Sequence, residues 1–262
     1  MMKRISFQSV YLMGLLTLSL HTSAVADLGV GLRPPRGADI LLDGTRNWLD
    51  EKWTYWEGPR FASALPIKWK MVDDPVDSGK VLLTDDPVAA GGKYGTADIV
   101  TKKKYRDFRL HIEFFIAKQG GNSGVYLQNR YEIQVLDGDA TPHGMGAVIN
   151  ESESPYFAYN GLGEWNAYDI IFKAARFKDG KLVEKAKVSM VFNGVLVHKD
   201  RSIEKVWGGR NSGIDGGNDG GKGITDVPGG LKLQCEGHEV LFRNAWIQEL
   251  KLDGKDTSFP SK

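Results

Sequence analysis

The stretch from Gly121 to Asp137 of this 262-residue chain carries one mid-strand carboxylate, Glu132, among several amides and hydroxyls, and ends on a second, Asp137. Polar and apolar residues alternate from Tyr131 to Leu136, as in a half-buried strand, so Glu132 and Gln134 project from the same side. A mid-strand carboxylate whose pKa is tuned by partial burial is suited to general acid or base catalysis. The residues expected to add hydrogen-bonding groups to this side are Asn122, Tyr126 and Gln128.

Two antiparallel strands are needed to place these groups together. The pattern predicts one strand over 124–128 and a second over Tyr131–Leu136, with Asn129 and Arg130 forming the tight connection between them. The apolar residues of both strands then point to the opposite side. The sequence therefore predicts a strand pair with one polar working face.

A third strand, predicted over Phe108–Ile116, could bring a second carboxylate to this face. His111 and Glu113 share its polar side. Both residues also have a structural interpretation. Glu113 could be a cross-strand partner of Arg109 or Lys173, and His111 could be a hydrogen-bonded residue of the sheet surface.

A late strand, predicted over 231–235, could approach from another direction. It carries Gln234 and is followed by Glu236, which would supply a further carboxylate. Trp165, before another predicted strand, offers a flat apolar ring that could bind a ligand or belong to the core.

Short alternating runs bounded by Gly, Asp, Asn and Pro recur along the chain, whereas helical periodicity is scarce. The dipeptide Asn193-Gly194 between two such runs is a strong hairpin signal. Residues 38–86 alternate little, so we expect one or two edge strands and covering loops there. Because each sheet must bury its apolar side, the pattern predicts an all-β sandwich of two antiparallel sheets. The remaining predicted strands are 167–173, 187–192, 195–198 and 240–250.

The first 26 residues have the features of a secretory signal peptide. Lys3 and Arg4 precede an apolar run, and the small residues up to Ala26 form a cleavage pattern. We expect cleavage after Ala26 and an exported protein, periplasmic or secreted, with a single domain over 27–262 and its core at about 40–250. No later run is long enough to span a membrane.

Charge and cysteine content narrow the function classes. Loss of the leader removes two basic residues and changes the formal net charge from +1 to −1, which gives no indication of nucleic-acid binding. Cys235 is the only cysteine, so no intrachain disulfide can form. A glycine-rich insertion over 208–223 is too long for an ordinary turn, and its Asp215, Asn218 and Asp219 fit no calcium-loop spacing. The sequence leaves metal binding, oligomeric state and the role of this insertion open.

Several phrases, in this order and spacing, resemble the 3-keto-disaccharide hydrolase domain family from about Ile40 to Leu250. The family is implied to have a concanavalin-A-like jelly-roll fold, similar to lectins and many glucanases, and to occur mostly in exported bacterial proteins. Two features depart from it, a Cys235-Glu-Gly-His238 where many members have Asp-His-Gly, and the long glycine-rich insertion. The phrases are Ala97-Asp-Ile-Val-Thr101, Lys104-Tyr-Arg-Asp-Phe-Arg-Leu110, Asn122-Ser-Gly-Val-Tyr-Leu127, Tyr131-Glu-Ile-Gln-Val-Leu-Asp137, Gly163-Glu-Trp-Asn-Ala-Tyr-Asp169, Leu233-Gln-Cys-Glu-Gly237 and Val240-Leu-Phe-Arg-Asn244.

The resemblance implies cleavage of glycosides whose sugar carries a ketone at C3. The ketone acidifies the hydrogen on C2, so a base, a group that stabilises the enolate and an acid for the C1 oxygen are required. The candidate catalytic residues are Glu132, Glu236, Glu113 and His111. The candidate substrate-binding residues are Asn122, Tyr126, Gln128, Arg130, Gln134, Trp165, Lys173 and Gln234, with Arg130 and Lys173 as cations for the enolate or hydroxyls.

Three alternatives remain at the level of sequence. A divalent metal could stabilise the enolate, although no spacing specific to a metal is present and no cofactor is firmly implied. The same fold could serve a non-catalytic carbohydrate-binding module. An ordinary glycoside hydrolase would need two carboxylates facing each other across the scissile bond. In each case the expected partner is a carbohydrate.

Overall fold

A computed structural model describes residues 28–56, 66–84, 97–138, 141–206 and 223–259. The predicted signal peptide, and the glycine-rich insertion apart from Gly223, lie outside the described residues. No helix in these ranges is both long and apolar enough to cross a membrane. The elements are β1 (Asp39–Ile40), α1 (Arg46–Lys52), β2 (Trp53–Tyr55), β3 (Lys70–Asp73), β4 (Lys80–Leu83), β5 (Ile99–Thr101), β6 (Phe108–Ile116), β7 (Asn122–Leu127), β8 (Tyr131–Leu136), β9 (Trp165–Lys173), β10 (Arg176–Lys178), β11 (Lys181–Glu184), β12 (Lys187–Phe192), β13 (Val195–Ser202), β14 (Lys232–Leu233) and β15 (Val240–Glu249).

The strands form two main antiparallel sheets. The large sheet has eight strands in the order β13-β12-β9-β6-β15-β4-β3, with β1 paired to β15. The small sheet has five strands in the order β2-β5-β14-β7-β8, and β10 and β11 form a separate hairpin. Neighbours in space are often distant in sequence, which is typical of a jelly roll. The predicted all-β jelly-roll sandwich is confirmed.

One hydrophobic core lies between the inner faces of the two sheets. Strand β6 gives alternate residues to this core, starting with Phe108, and β8 does the same from Tyr131. The Tyr131 and Phe172 rings lie 5.6 Å apart and join the small sheet to the large one. The Tyr168 hydroxyl also crosses the core and donates to the Gln134 carbonyl at 2.6 Å. Because inner positions are apolar, the polar residues of each strand must lie on the outer faces.

The sequence predicts the long strands better than the early region. The bounds of β6, β8 and β12 agree with prediction, and Asn193 (φ 46°) and Gly194 (φ 82°) form the expected hairpin turn. The number of strands predicted for residues 38–86 is wrong, because four strands and the helix α1 lie there instead of one or two edge strands. These strands have two to four residues each, which is too short to establish a period of two.

The connection after β7 also differs from the prediction. Strand β7 ends at Leu127, and Gln128 and Asn129 have left-handed backbone angles of φ 54° and 57°. The Arg130 amide closes this turn on the Leu127 carbonyl at 3.0 Å. Gln128 therefore belongs to the turn rather than to the strand.

Candidate active site

The outer face of the small sheet collects polar residues from adjacent strands in one line. The strand registers place Glu132 opposite Tyr126, Tyr126 opposite Lys232, and Lys232 opposite Val100. We call these four residues the central row. Side chains that are directly opposite on antiparallel strands are neighbours, so this row brings a carboxylate, a phenol and an ammonium group together.

A second and a third row lie beside the central row. In the second row Gln134 faces Gly124, and the backbone N–H of Gln234 donates to the Gly124 carbonyl at 3.0 Å. In the third row the Asn122 side-chain amide donates to Oε2 of Glu236. The predicted polar face therefore exists, and the late strand reaches it.

Glu132 has a strongly raised pKa for a carboxyl group of this face. Its side chain is buried, with 8% exposed, and desolvation raises its pKa from an ordinary 4.5 to about 8. A hydrogen bond with the Tyr126 hydroxyl and the charge of Lys232 lower the pKa in part, whereas the charges of Glu236 and Asp98 raise it. A carboxylate with such a pKa is a stronger base than an ordinary glutamate and titrates near neutral pH.

Gly124 makes room for this carboxyl group. A Cβ atom on Gly124 would lie 2.3 Å from Oε1 of Glu132, closer than two such atoms approach in real structures. Gly124 does not have a left-handed backbone, so conformational freedom does not explain the glycine. Its function in the fold is to leave space for the side chain of the facing strand.

Lys232 supplies a buried positive charge next to Glu132. Its ammonium group pairs with Asp98 at 2.9 Å and lies 3.7 Å from the ring centroid of Tyr126 and 4.5 Å from that of Trp56. Asp98 is in turn held by the Cys235 amide at 2.8 Å. Two aromatic rings and one carboxylate therefore fix the position of the ammonium group.

Burial keeps the Tyr126 hydroxyl protonated. Desolvation, followed by the charge of Glu132, raises the pKa of Tyr126 well above its ordinary value. The side-chain amide of Gln234 donates to this hydroxyl at 3.2 Å. The hydroxyl is thus fixed between Gln234 and Glu132 and is a hydrogen-bond donor at every pH relevant to activity.

Three buried polar atoms of this face have no hydrogen-bond partner among the described residues. They are Nε1 of Trp56, Oδ1 of Asn122 and Oε1 of Gln234. Unpartnered buried polar atoms are rare in folded proteins, and each one calls for an explanation such as a functional role. A polar ligand with hydroxyl groups could satisfy all three.

A cavity of about 510 Å³ continues this face toward the β7–β8 turn. Val100 of the central row and Trp56 belong to its wall, as do Asn129 and Arg130 of the turn. Arg130 donates to the carbonyls of Gly223 at 2.8 Å and Gln128 at 2.9 Å. The predicted cation Arg130 therefore lies at the far wall of the cavity and not in the central row.

Four predicted site residues, His111, Glu113, Trp165 and Lys173, lie on the opposite side of the molecule, on the outer face of the large sheet. The expectation that His111 and Glu113 join Glu132 is wrong, because β6 belongs to the large sheet and its polar side faces away from the small sheet. The period of two gives the face of a strand but not the sheet to which the strand belongs.

His111 and Glu113 instead hold the segment that begins at Leu28. The imidazole contacts Asp169 at 3.0 Å through Nδ1 and Glu113 at 3.3 Å through Nε2. The Gly29 amide donates to Asp169 at 2.9 Å, and the Gly31 amide donates to Glu113 at 2.7 Å. We call His111, Glu113 and Asp169 the anchor cluster.

Hydrogen bonds favour the charged forms of His111 and Glu113 in the anchor cluster. Burial opposes the imidazolium, but hydrogen bonds to both carboxylates outweigh it and raise the pKa of His111. Burial likewise opposes the carboxylate of Glu113, but its bonds to His111, Asn244 and Arg243 lower its pKa to about 2. These contacts explain both residues as structural groups.

Trp165 and Lys173 also have structural partners. The Trp165 indole donates to Asp74 at 3.1 Å, and its ring lies 4.0 Å from the Arg243 guanidinium. The Lys173 ammonium pairs with Glu184 at 2.6 Å and donates to the Lys255 carbonyl at 2.8 Å. The structure therefore provides no basis for a substrate contact by either residue.

Sequence reasoning missed Lys232, Asp98 and Trp56. Lys232 alternates with apolar residues in the same run as Gln234 and Glu236, so the period that identified those two could have identified it. Asp98 comes directly before the three-residue strand β5, and Trp56 follows the three-residue strand β2. Strands this short give no periodic signal.

Within the described parts of the chain, no group of three His, Cys, Asp or Glu side chains could hold a metal ion.

Comparison with known proteins assigns a family to this fold and face. A family model described as a 3-keto-alpha-glucoside-1,2-lyase-like domain matches residues 39–248. A candidate glycosyl hydrolase from Parabacteroides distasonis of known structure is 28% identical, with a TM-score of 0.64 over 84% of this chain and 86% of that chain. A second one from the same organism is 22% identical, with a TM-score of 0.52 over 82% of this chain and 94% of that chain, and shares the fold. Among curated proteins there is no match.

Proposed function

The chain belongs to the 3-keto-α-glucoside-1,2-lyase-like domain family, and from this premise we propose that it cleaves 3-keto-glycosides by base-initiated elimination followed by hydration. At a coarser level it is a glycosyl-hydrolase-like, carbohydrate-active protein. The observation that carries the proposal is the central row. There the buried Glu132, with a pKa of about 8, is hydrogen-bonded to the Tyr126 hydroxyl, and the Lys232 ammonium group lies over the Tyr126 ring.

Glu132 is the general base of the first step. The C3 ketone acidifies the hydrogen on C2, and the ionised Glu132 takes this proton. The electron pair of the C2–H bond moves into a C2–C3 double bond, and negative charge develops on the C3 oxygen. The buried positive charge of Lys232 and the fixed Tyr126 hydroxyl favour this charge electrostatically.

The enolate then expels the C1 substituent. The C3 carbonyl re-forms, a double bond forms between C1 and C2, and the C1–O bond breaks. The departing oxygen takes up a proton, for which Glu236, bonded to Asn122, is our candidate donor. Water adds to C1 and gives up a proton that restores Glu236, and protonated Glu132 returns its proton to C2, so the net reaction is hydrolysis.

The charge of Lys232 favours this route over ordinary glycoside hydrolysis. An ordinary glycosidase passes through an oxocarbenium-like transition state, which carries positive charge at C1. A buried ammonium group on the same face destabilises that state and stabilises an enolate, and its ion pair with Asp98 reduces the size of both effects without changing their sign. This electrostatic difference is why we prefer a keto-sugar substrate.

The test compares a glucoside with its 3-keto derivative. The mature protein is incubated with each, with and without a chelator, and release of the leaving group is followed. We expect cleavage of the keto sugar alone, and the chelator arm shows whether a divalent metal takes part. Cleavage of the unoxidised glucoside would indicate an ordinary glycosidase, and binding of both without turnover would indicate a carbohydrate-binding module; either result refutes the proposal.

A further inference from the structure

The cavity beside the central row has a definite position relative to the reacting atoms. Val100 is both the end of the central row and part of the cavity wall. The cavity therefore opens at the Val100 end of the central row, beyond Lys232 as seen from Glu132. The volume of about 510 Å³ is in the range of small-ligand sites.

Two buried polar groups on the cavity wall lack partners among the described residues. Trp56 is 4% exposed and Asn129 is 7% exposed. The unpartnered atoms are the indole Nε1 of Trp56, a donor, and the carbonyl Oδ1 of Asn129, an acceptor. A ligand that satisfies both must accept one hydrogen bond and donate another.

A neutral hydroxyl-bearing group fits this pair better than an anion. An anionic oxygen could accept from Trp56 but could not donate to Asn129. Of the three cations of the wall, Lys102, Lys104 and Arg130, two are directed to backbone groups, since Lys102 donates to the Asp50 carbonyl at 2.6 Å and Arg130 donates to the Gly223 carbonyl at 2.8 Å. The remaining wall is largely apolar, which suits the ring of a sugar.

We propose that this cavity is the leaving-group subsite and that Trp56 and Asn129 select leaving groups that carry hydroxyls, namely a second sugar ring rather than a small alkyl group. This inference rests on the proposed function, because it assumes that the bond at C1 is broken beside Glu132. Trp56 and Asn129 are specificity-determining residues that act on the leaving group and not on the keto ring.

The experiment measures a ratio of two rates. The kcat/KM of the full mature chain is determined for a 3-keto-disaccharide and for the corresponding 3-keto methyl glucoside. Asn129→Gly removes the acceptor and keeps the left-handed backbone, for which φ is 57°. We expect the disaccharide to methyl-glucoside ratio to fall about tenfold or more.

Two further variants complete the design. Asn150→Gly is a matched control, because Asn150 has the same φ of 57° but is an exposed turn residue away from the cavity wall, and its ratio should equal that of the wild type. Trp56→Phe removes the donor and keeps an aromatic ring, so it should lower the ratio in the same direction as Asn129→Gly. Thermal melting of each variant checks that it is folded.

The outcomes separate the two proposals. Cleavage of both keto substrates with an unchanged ratio in Asn129→Gly and Trp56→Phe overturns the leaving-group subsite and leaves the proposed function intact. Failure of the wild type to cleave either keto substrate overturns the proposed function and the subsite with it.

Discussion

Glu132 is buried, yet the proposed reaction requires its charged form. The pKa of this side chain should therefore set the pH dependence of kcat/KM. Because only the ionised form can act as the base, kcat/KM should rise with pH and level off above about 8, the pKa of this carboxyl group. Glu132→Gln should lower kcat by about 10²–10⁴-fold. The pH profile with a 3-keto-glycoside is the measurement, and a rate that falls through pH 8 would make Glu132 the acid.

The same burial should cost stability at neutral pH. The folded state raises the pKa of Glu132 from 4.5 to about 8, so ionisation favours the unfolded state increasingly as pH rises between these values. Glu132→Gln should therefore raise the free energy of unfolding by roughly 2–3 kcal/mol at pH 7 and have no effect below about pH 4.5. Urea unfolding at both pH values tests this, with Glu239→Gln at an exposed carboxylate as control.

Gly124 offers a steric test of the position of Glu132. Gly124→Ala places a Cβ atom 2.3 Å from the position that Oε1 of Glu132 occupies, so it should displace the carboxyl group and lower kcat about tenfold or more while the fold is retained. Gly138→Ala is the matched control, because its Cβ would meet Leu136 at an ordinary 3.8 Å. Equal rates for the two variants would show that the carboxyl position is unimportant.

At the scale of elements, the outer face of the large sheet serves to hold the N-terminal segment. The raised pKa of His111 means that the imidazolium stabilises the fold fully below about pH 6.5 and loses this contribution as pH rises through the folded value. The amides of Gly29 and Gly31 should then exchange faster with solvent, because the carboxylates that hold them repel each other without the imidazolium.

His111→Gln should produce the same loosening at all pH values. We expect faster hydrogen exchange at Gly29 and Gly31 and a free energy of unfolding lower by about 1–3 kcal/mol, with cleavage of the keto substrate retained. Exchange measured by mass spectrometry and an activity assay check this. Loss of activity with unchanged exchange would make His111 a catalytic candidate again.

At the scale of the whole molecule, sequence periodicity predicts faces but not neighbours. The alternation in β8 correctly assigns Glu132 and Gln134 to a polar face, and that in β6 correctly assigns His111 to another. Which strands pair depends on contacts between distant parts of the chain, so the separation of these faces could not be predicted. For the same reason the alternation around Lys232 could have placed this residue on a polar face, but not beside Glu132.

Export remains a prediction about the whole chain. The predicted signal peptide implies that cells expressing the full sequence yield a mature protein that begins at Asp27. Intact-mass analysis of the periplasmic and secreted fractions measures this end. A protein that keeps residues 1–26 would contradict the prediction.

The central row also fixes a length scale for the chemistry. Adjacent strands in a sheet lie about 4.8 Å apart, so the backbones that carry Glu132, Tyr126 and Lys232 are spaced at that constant interval. A side-chain substitution changes how far a group reaches above the sheet but not this interval. We therefore expect proteins with this sheet to change substrate by substituting outward-facing residues, which lie two apart along each strand, without any change in the backbone.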